Sequence, residues 1–166
     1  MSAAVTWAYK SQGEAIAEPG ADRDLIDERL RAAVACALEY GDAAGMSVDV
    51  ILVDDETLAD LHARFLDDPS PTDVIAFDLR PRDLDLEGDS GPDAEVYVSL
   101  DCAQRVAKER GVGLLRELSL YSIHGVLHLC GWDDHSPSDR DAMRAAESAV
   151  LDRLGFEKDS LPHDVS

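Results

Sequence analysis

The chain has 166 residues, 45% of them hydrophobic and 30% charged, which suits one folded domain with a real core and excludes wholesale disorder. Its 35 acidic residues outnumber 15 basic ones and leave a net charge of −20, so bulk charge argues against tight nonspecific binding to nucleic acid. No apolar run is long enough to cross a bilayer, and the first residues lack a basic start followed by an apolar stretch. Neither a membrane span nor a signal peptide is expected, and the expected location is the cytoplasm. Cys36, Cys102 and Cys130 are odd in number, widely spaced and form no CxxC pair, so a disulfide framework is not expected. Cys36 and Cys102 read as small buried apolar residues.

In chain order, a short first strand is expected over 3–9, followed by a loop over 12–21 that contains Gly13, Pro19 and Gly20. A helix is expected from Asp22. Ile26, Leu30, Val34 and Leu38 recur every four residues, and Gly41 ends the pattern. Val48, Val50 and Leu52 then alternate as in a strand. Asp54 is placed to cap a helix with the stripe Leu58, Leu61 and Phe65, and the run Asp67, Asp68, Pro69, Ser70, Pro71 breaks it. A third strand is predicted over 72–77, an exposed loop over 80–92, and a fourth strand over 95–100, with Val96, Val98 and Leu100 on one side. Asp101 is placed to cap the next helix, which ends near Gly111 or Gly113.

The most apolar helix is expected over 114–130. Leu120, Ile123 and Leu127 make one stripe on it, and Tyr121, His124 and His128 the adjacent one, so it reads as central and buried. Ser136 and Pro137 then supply an N-cap and a first helical proline. Met143, Ala146, Val150 and Leu154 recur on one face of that last helix, Gly155 ends it, and 157–166 reads as a tail.

The chemistry concentrates in 124–135. His124 and His128 are four residues apart, so both imidazoles share a helix face and can meet one ion. Such a pair alone reads equally well as two hydrogen-bonded core histidines. Gly131 adds a residue that can adopt the left-handed conformation and turn the chain back, bringing Asp134 or His135 toward the open side of the ion. Three protein ligands leave a position for water, the arrangement of catalytic zinc. Zinc is favoured by nitrogen ligands, although nickel, copper or iron fit the same set. Cys130 lies off the histidine face. Zinc peptidases place Glu directly after the first of two such histidines, whereas Gly125 stands here, so a peptidase would lack its base.

These residues resemble the signature of the YbeY family of ribosomal RNA maturation factors, His-Gly-x-Leu-His-Leu-x-Gly-Tyr-Asp-His, with Trp132 in the Tyr position. A second block, Pro71 through Phe77, resembles the family's Pro-Thr-Asp-Val-Leu-Ser-Phe, and 95–99 resembles its Gly-Asp-Ile strand more loosely. The resemblance covers nearly all of the chain after Asp22. It implies an α+β domain spanning 1–166, with a small mixed sheet packed against a central buried helix and flanking helices. It also implies a zinc-dependent endoribonuclease specific for single-stranded RNA, acting in ribosomal RNA processing and ribosome quality control. The family's third ligand falls ten residues after the first, at Asp134 in a gap-free register that also keeps Pro137 and Met143 in place. On that reading Asp133 shapes the turn, and His135 is the alternative ligand or an exposed loop histidine.

The family's basic residue ahead of the second block corresponds to Leu66, with Arg64 nearby but out of register. Thr72 and Asp73 either line the site or form a strand-start turn, and Phe77 reads as core rather than as a base-stacking platform. Two other functions compete with the nuclease. One is a non-catalytic assembly factor binding ribosomal proteins or a GTPase with a structural metal, for which the acidic surface suits basic partners. The other is a metal-dependent hydrolase of another bond.

Overall fold

The computed structural model of the chain describes residues 3–8, 23–66, 73–80 and 91–156. Its elements are β1 (Val5–Trp7), α1 (Arg23–Tyr40), β2 (Val48–Val53), α2 (Asp55–Leu66), β3 (Val74–Asp78), β4 (Ala94–Ser99), α3 (Leu100–Arg110), α4 (Leu114–Leu129) and α5 (Pro137–Arg153). The expected loop over 12–21, most of the 80–92 loop, the 67–71 break, Thr72 and the tail lie outside the described residues.

The sheet is mixed, as expected, in the order β1-β2-β4-β3. β1 and β4 flank β2 in parallel, with Val50 opposite both Val5 and Val96. β3 closes the other edge antiparallel to β4, with Ala76 opposite Val96. The central strands are covered on both faces, so they read as apolar runs rather than clean alternations. Val48, Val50, Leu52, Val96 and Val98 enter the larger core with α1, α3, α4 and α5, while Ile51, Val53 and Ile75 face α2 through Leu58.

Cap chemistry sets the helix boundaries. Asp54 Oδ1 accepts from the Thr57 amide at 2.8 Å, which starts α2 where expected. Ser136 Oγ accepts from the Asp139 amide at 3.1 Å with Pro137 next to it, which starts α5. α3 is a correction. Ser99, not Asp101, is its N-cap and accepts from the Cys102 amide at 3.0 Å. β4 therefore runs straight into α3 with no loop, and Asp101 instead accepts from the Asp55 amide at 3.1 Å, tying the starts of α2 and α3 together.

Two burial expectations also change. Phe65 is 64% exposed in the last turns of α2, where its ring makes an edge-to-face pair with Phe77 at 5.5 Å between centroids. Cys36 is half-buried, whereas Cys102 is buried, and all three cysteines are free. Burial, with Asp73 beside it, pushes the Cys102 thiol up to about 12, so it stays protonated and unreactive.

α4 is the pivot of the fold. From Leu118 to Leu127 every residue on it is buried, and it packs against α1, α3, α5, β3 and β4. It lies so close to the sheet that a Cβ on Gly125 would stand 2.7 Å from Val96 Cγ1 and 3.2 Å from Val74 Cγ2. Gly125, read from sequence as the place where a peptidase's glutamate base is missing, is thus the contact that lets helix and sheet approach. No helix among the described residues is long and apolar enough to cross a membrane.

Candidate metal centre

The C-terminal end of α4 presents the two imidazoles. Their Nε2 atoms stand 3.0 Å apart, with ring planes at 81°. The helix ends at Cys130, and Gly131 follows with φ 101°, a left-handed value that any side chain would strain. The Trp132 amide bonds back to the Leu127 carbonyl at 3.0 Å, which folds the chain over the helix end. That reversal carries Asp134 Oδ2 to 3.6 Å from His124 Nε2 and 3.5 Å from His128 Nε2.

The three donor atoms therefore form a triangle with sides of 3.0, 3.5 and 3.6 Å. A tetrahedral ion with bonds of about 2.0–2.1 Å spaces its ligand atoms roughly 3.3 Å apart. The triangle brackets that spacing, so these residues fit a single divalent ion.

His124 is buried, while the side chains of His128 and Asp134 are 33% and 29% exposed, so the triangle is closed toward the core and open toward solvent. The other sequence candidates fall elsewhere. His135 is 85% exposed and lies 3.2 Å from Asp133 Oδ1, away from the two helical histidines. Asp133, Asp134 and His135 do form a second exposed donor group, but it includes neither helical imidazole. Asp133 Oδ1 accepts from the Asp134 amide at 2.7 Å, consistent with a residue that shapes the turn. Neither group contains a cysteine; Cys130 is instead packed at Gly41, where an added Cβ would meet its Sγ at 2.6 Å. Asp73 accepts from Cys102 Sγ at 2.7 Å, and Cys102 in turn neighbours the hydroxyl of Tyr121, one turn before His124. Phe77 is half-buried between Phe65 and Tyr97. Arg64 is in the exposed last turn of α2. Sequence reasoning did not pick out Glu147, whose Oε2 lies 3.6 Å from His124 Nδ1.

Burial and then the neighbouring His124 push the His128 pKa below the usual imidazole value, partly countered by Asp134. The folded chain therefore binds fewer protons at His128 than the unfolded chain just below about pH 6.5. Its contribution to stability is intact above that unfolded value and declines as pH falls toward the lower folded value. The urea midpoint of metal-free protein should fall between about pH 7 and 5.5, and His128→Gln should flatten that decline. An unchanged slope in the variant would contradict the assignment.

Comparison with known proteins gives the chain its family. Residues 16–155 match the family profile described as Endoribonuclease YbeY. The chain is 38% identical over 138 residues to the Endoribonuclease YbeY of Symbiobacterium thermophilum, covering 80% of this chain and 88% of the relative. It is 35% identical over 137 residues to that of Rhodococcus opacus, covering 78% and 75%. The solution structure of TM1509 from Thermotoga maritima superposes with a TM-score of 0.55 at 22% identity, covering 90% and 88% of the two chains, and shares the fold.

Proposed function

This chain belongs to the YbeY endoribonuclease family, and from that premise we propose that it is a zinc-dependent endoribonuclease cleaving single-stranded RNA in the maturation and quality control of ribosomal RNA in the cytoplasm. The observation that carries the reading is the donor triangle of His124, His128 and Asp134, open on one side at the end of a buried helix. Nitrogen and carboxylate donors in that number suit zinc. Bound there, zinc would supply Lewis-acid polarisation of a phosphoryl oxygen and acidify water enough to serve as nucleophile near neutral pH.

The protein's own part is to hold the donors ready. Burial keeps His128 unprotonated at neutral pH, so its Nε2 lone pair is available. α4 fixes both rings from the core side, and the glycine reversal brings a carboxylate from the other. The open side, where His128 and Asp134 meet solvent, is where a phosphodiester would approach. Gly125 bears on the competing hydrolase: a glutamate there would drive into Val96, so a peptidase-type base has no room.

A second reading draws on the net charge of −20, which suits docking to basic ribosomal proteins as an assembly factor. Purified protein on single-stranded RNA, with and without chelator, separates the two. We expect cleavage that stops with chelator and returns with zinc, while the circular dichroism of the stripped protein stays folded. Chelator-induced unfolding without cleavage in any condition would favour the binding role instead.

A further inference from the structure

We propose that Glu147 is a positioning residue for the metal centre: its carboxylate serves as acceptor for the Nδ1–H of His124 and so fixes the tautomer that presents Nε2 to the ion. The inference rests on the reading of His124, His128 and Asp134 as ligands.

The geometry has three parts. First, the Nε2 atoms of both histidines face the triangle, so each ring must be held through Nδ1. The Trp132 backbone lies against the His128 ring and favours its protonated form. His124 has no such backbone partner: its Nδ1 is buried and lacks a hydrogen-bond partner among the described residues.

Second, the group facing that nitrogen is Glu147 Oε2, at 3.6 Å, and it too is buried and lacks a hydrogen-bond partner. Two orphaned, complementary atoms lie a few tenths of an ångström beyond hydrogen-bond range. Glu147 is only 4% exposed and rides on the stripe of Met143, Ala146 and Val150 that docks α5 into the core. Its carboxylate is therefore held in place by packing rather than free to reach solvent.

Third, the charges close. A carboxylate buried without a cation is costly. Asp134 and Glu147 bring two carboxylates to the two imidazoles, the number whose charge one divalent ion would balance. A carboxylate behind a ligating imidazole fixes ring orientation and raises ligand basicity, and losing it typically weakens metal binding about 10–100-fold.

The test uses Glu147→Leu and Glu147→Gln in the full chain. Zinc and cobalt affinities are read by competition with a chelating dye, and the His124 tautomer is read by nitrogen-15 NMR on metal-free protein. We expect Glu147→Leu to weaken both metals about 10–100-fold, with Glu147→Gln milder because its amide oxygen can still accept. The Nδ1–H form of His124 should dominate in the wild type and mix with the other tautomer in Glu147→Leu, while His128 stays unchanged. A merely structural glutamate would behave differently: metal-free stability would fall in both variants and the tautomer would not move. Wild-type affinity in Glu147→Leu with an unmoved tautomer would overturn the proposal. If the wild type bound neither metal, the ligand reading itself would fail, and the metal-free tautomer would still decide whether Glu147 orients His124. Should Glu147→Leu not fold, the near-isosteric Glu147→Gln decides by the same two measurements.

Discussion

Replacing His128 by alanine is expected to remove metal binding and RNA cleavage together. The ring supplies one corner of a triangle whose sides are 3.0, 3.5 and 3.6 Å, and no other imidazole among the described residues can reach its place. Loss of an outer partner of a ligand costs about 10–100-fold in affinity, so loss of the ligand itself should exceed about 100-fold and leave no stoichiometric zinc in the purified protein. The fold should survive, because the side chain is one-third exposed and its removal opens no closed cavity. Metal content by elemental analysis and cleavage of single-stranded RNA are the two readouts. Asp134→Ala should behave alike, whereas His135→Ala should change neither, since that ring is in solvent beside Asp133. Full zinc occupancy in His128→Ala, or its loss in His135→Ala but not in Asp134→Ala, would require a different set of ligands.

The largest effect on stability is expected at Gly125. Alanine gains about 1 kcal/mol of helix propensity over glycine, but its Cβ would sit 2.7 Å from Val96 Cγ1. Overpacking of a dense core costs about 1–3 kcal/mol, so Gly125→Ala should be net destabilising or displace α4 from the sheet. Gly125→Glu adds a long charged side chain between Val74 and Val96 and should fall among the severe substitutions, above about 4 kcal/mol, enough to unfold a marginal domain. Urea denaturation of Gly125→Ala, Val96→Ala and the double variant separates the causes. Trimming Val96 should recover part of the loss, so the double variant should be more stable than the sum of the two single changes predicts. Strict additivity would mean that the close approach is not what makes glycine necessary.

How far the sequence reached these features depended on the range of the interaction. His124 and His128 were legible because helical spacing alone puts them on one face. Asp134 needed the turn at Gly131 and the family register, since spacing left His135 equally open. Glu147 left a fainter signal. It follows Met143 by four residues and precedes Val150 by three, so it interrupts the apolar stripe of α5, and a charge on such a stripe asks for a partner. That the partner is His124 is a long-range fact which no local pattern carries. The mixed character of the sheet was expected, but its order and register were not, because pairing is settled by contacts between distant segments. The cap of α3 was misplaced for a local reason. β4 and α3 adjoin without a loop, and Leu100 is buried whether the strand or the helix claims it.

The close seating of α4 on β4 carries a consequence for how the centre is loaded. Because the sheet, rather than the ion, dictates where the two rings stand, an incoming cation would surrender little conformational entropy of the polypeptide. The rate of exchange would then be governed by dehydration of the cation and by movement of the short segment bearing Asp134, while the hydrophobic interior remains a spectator.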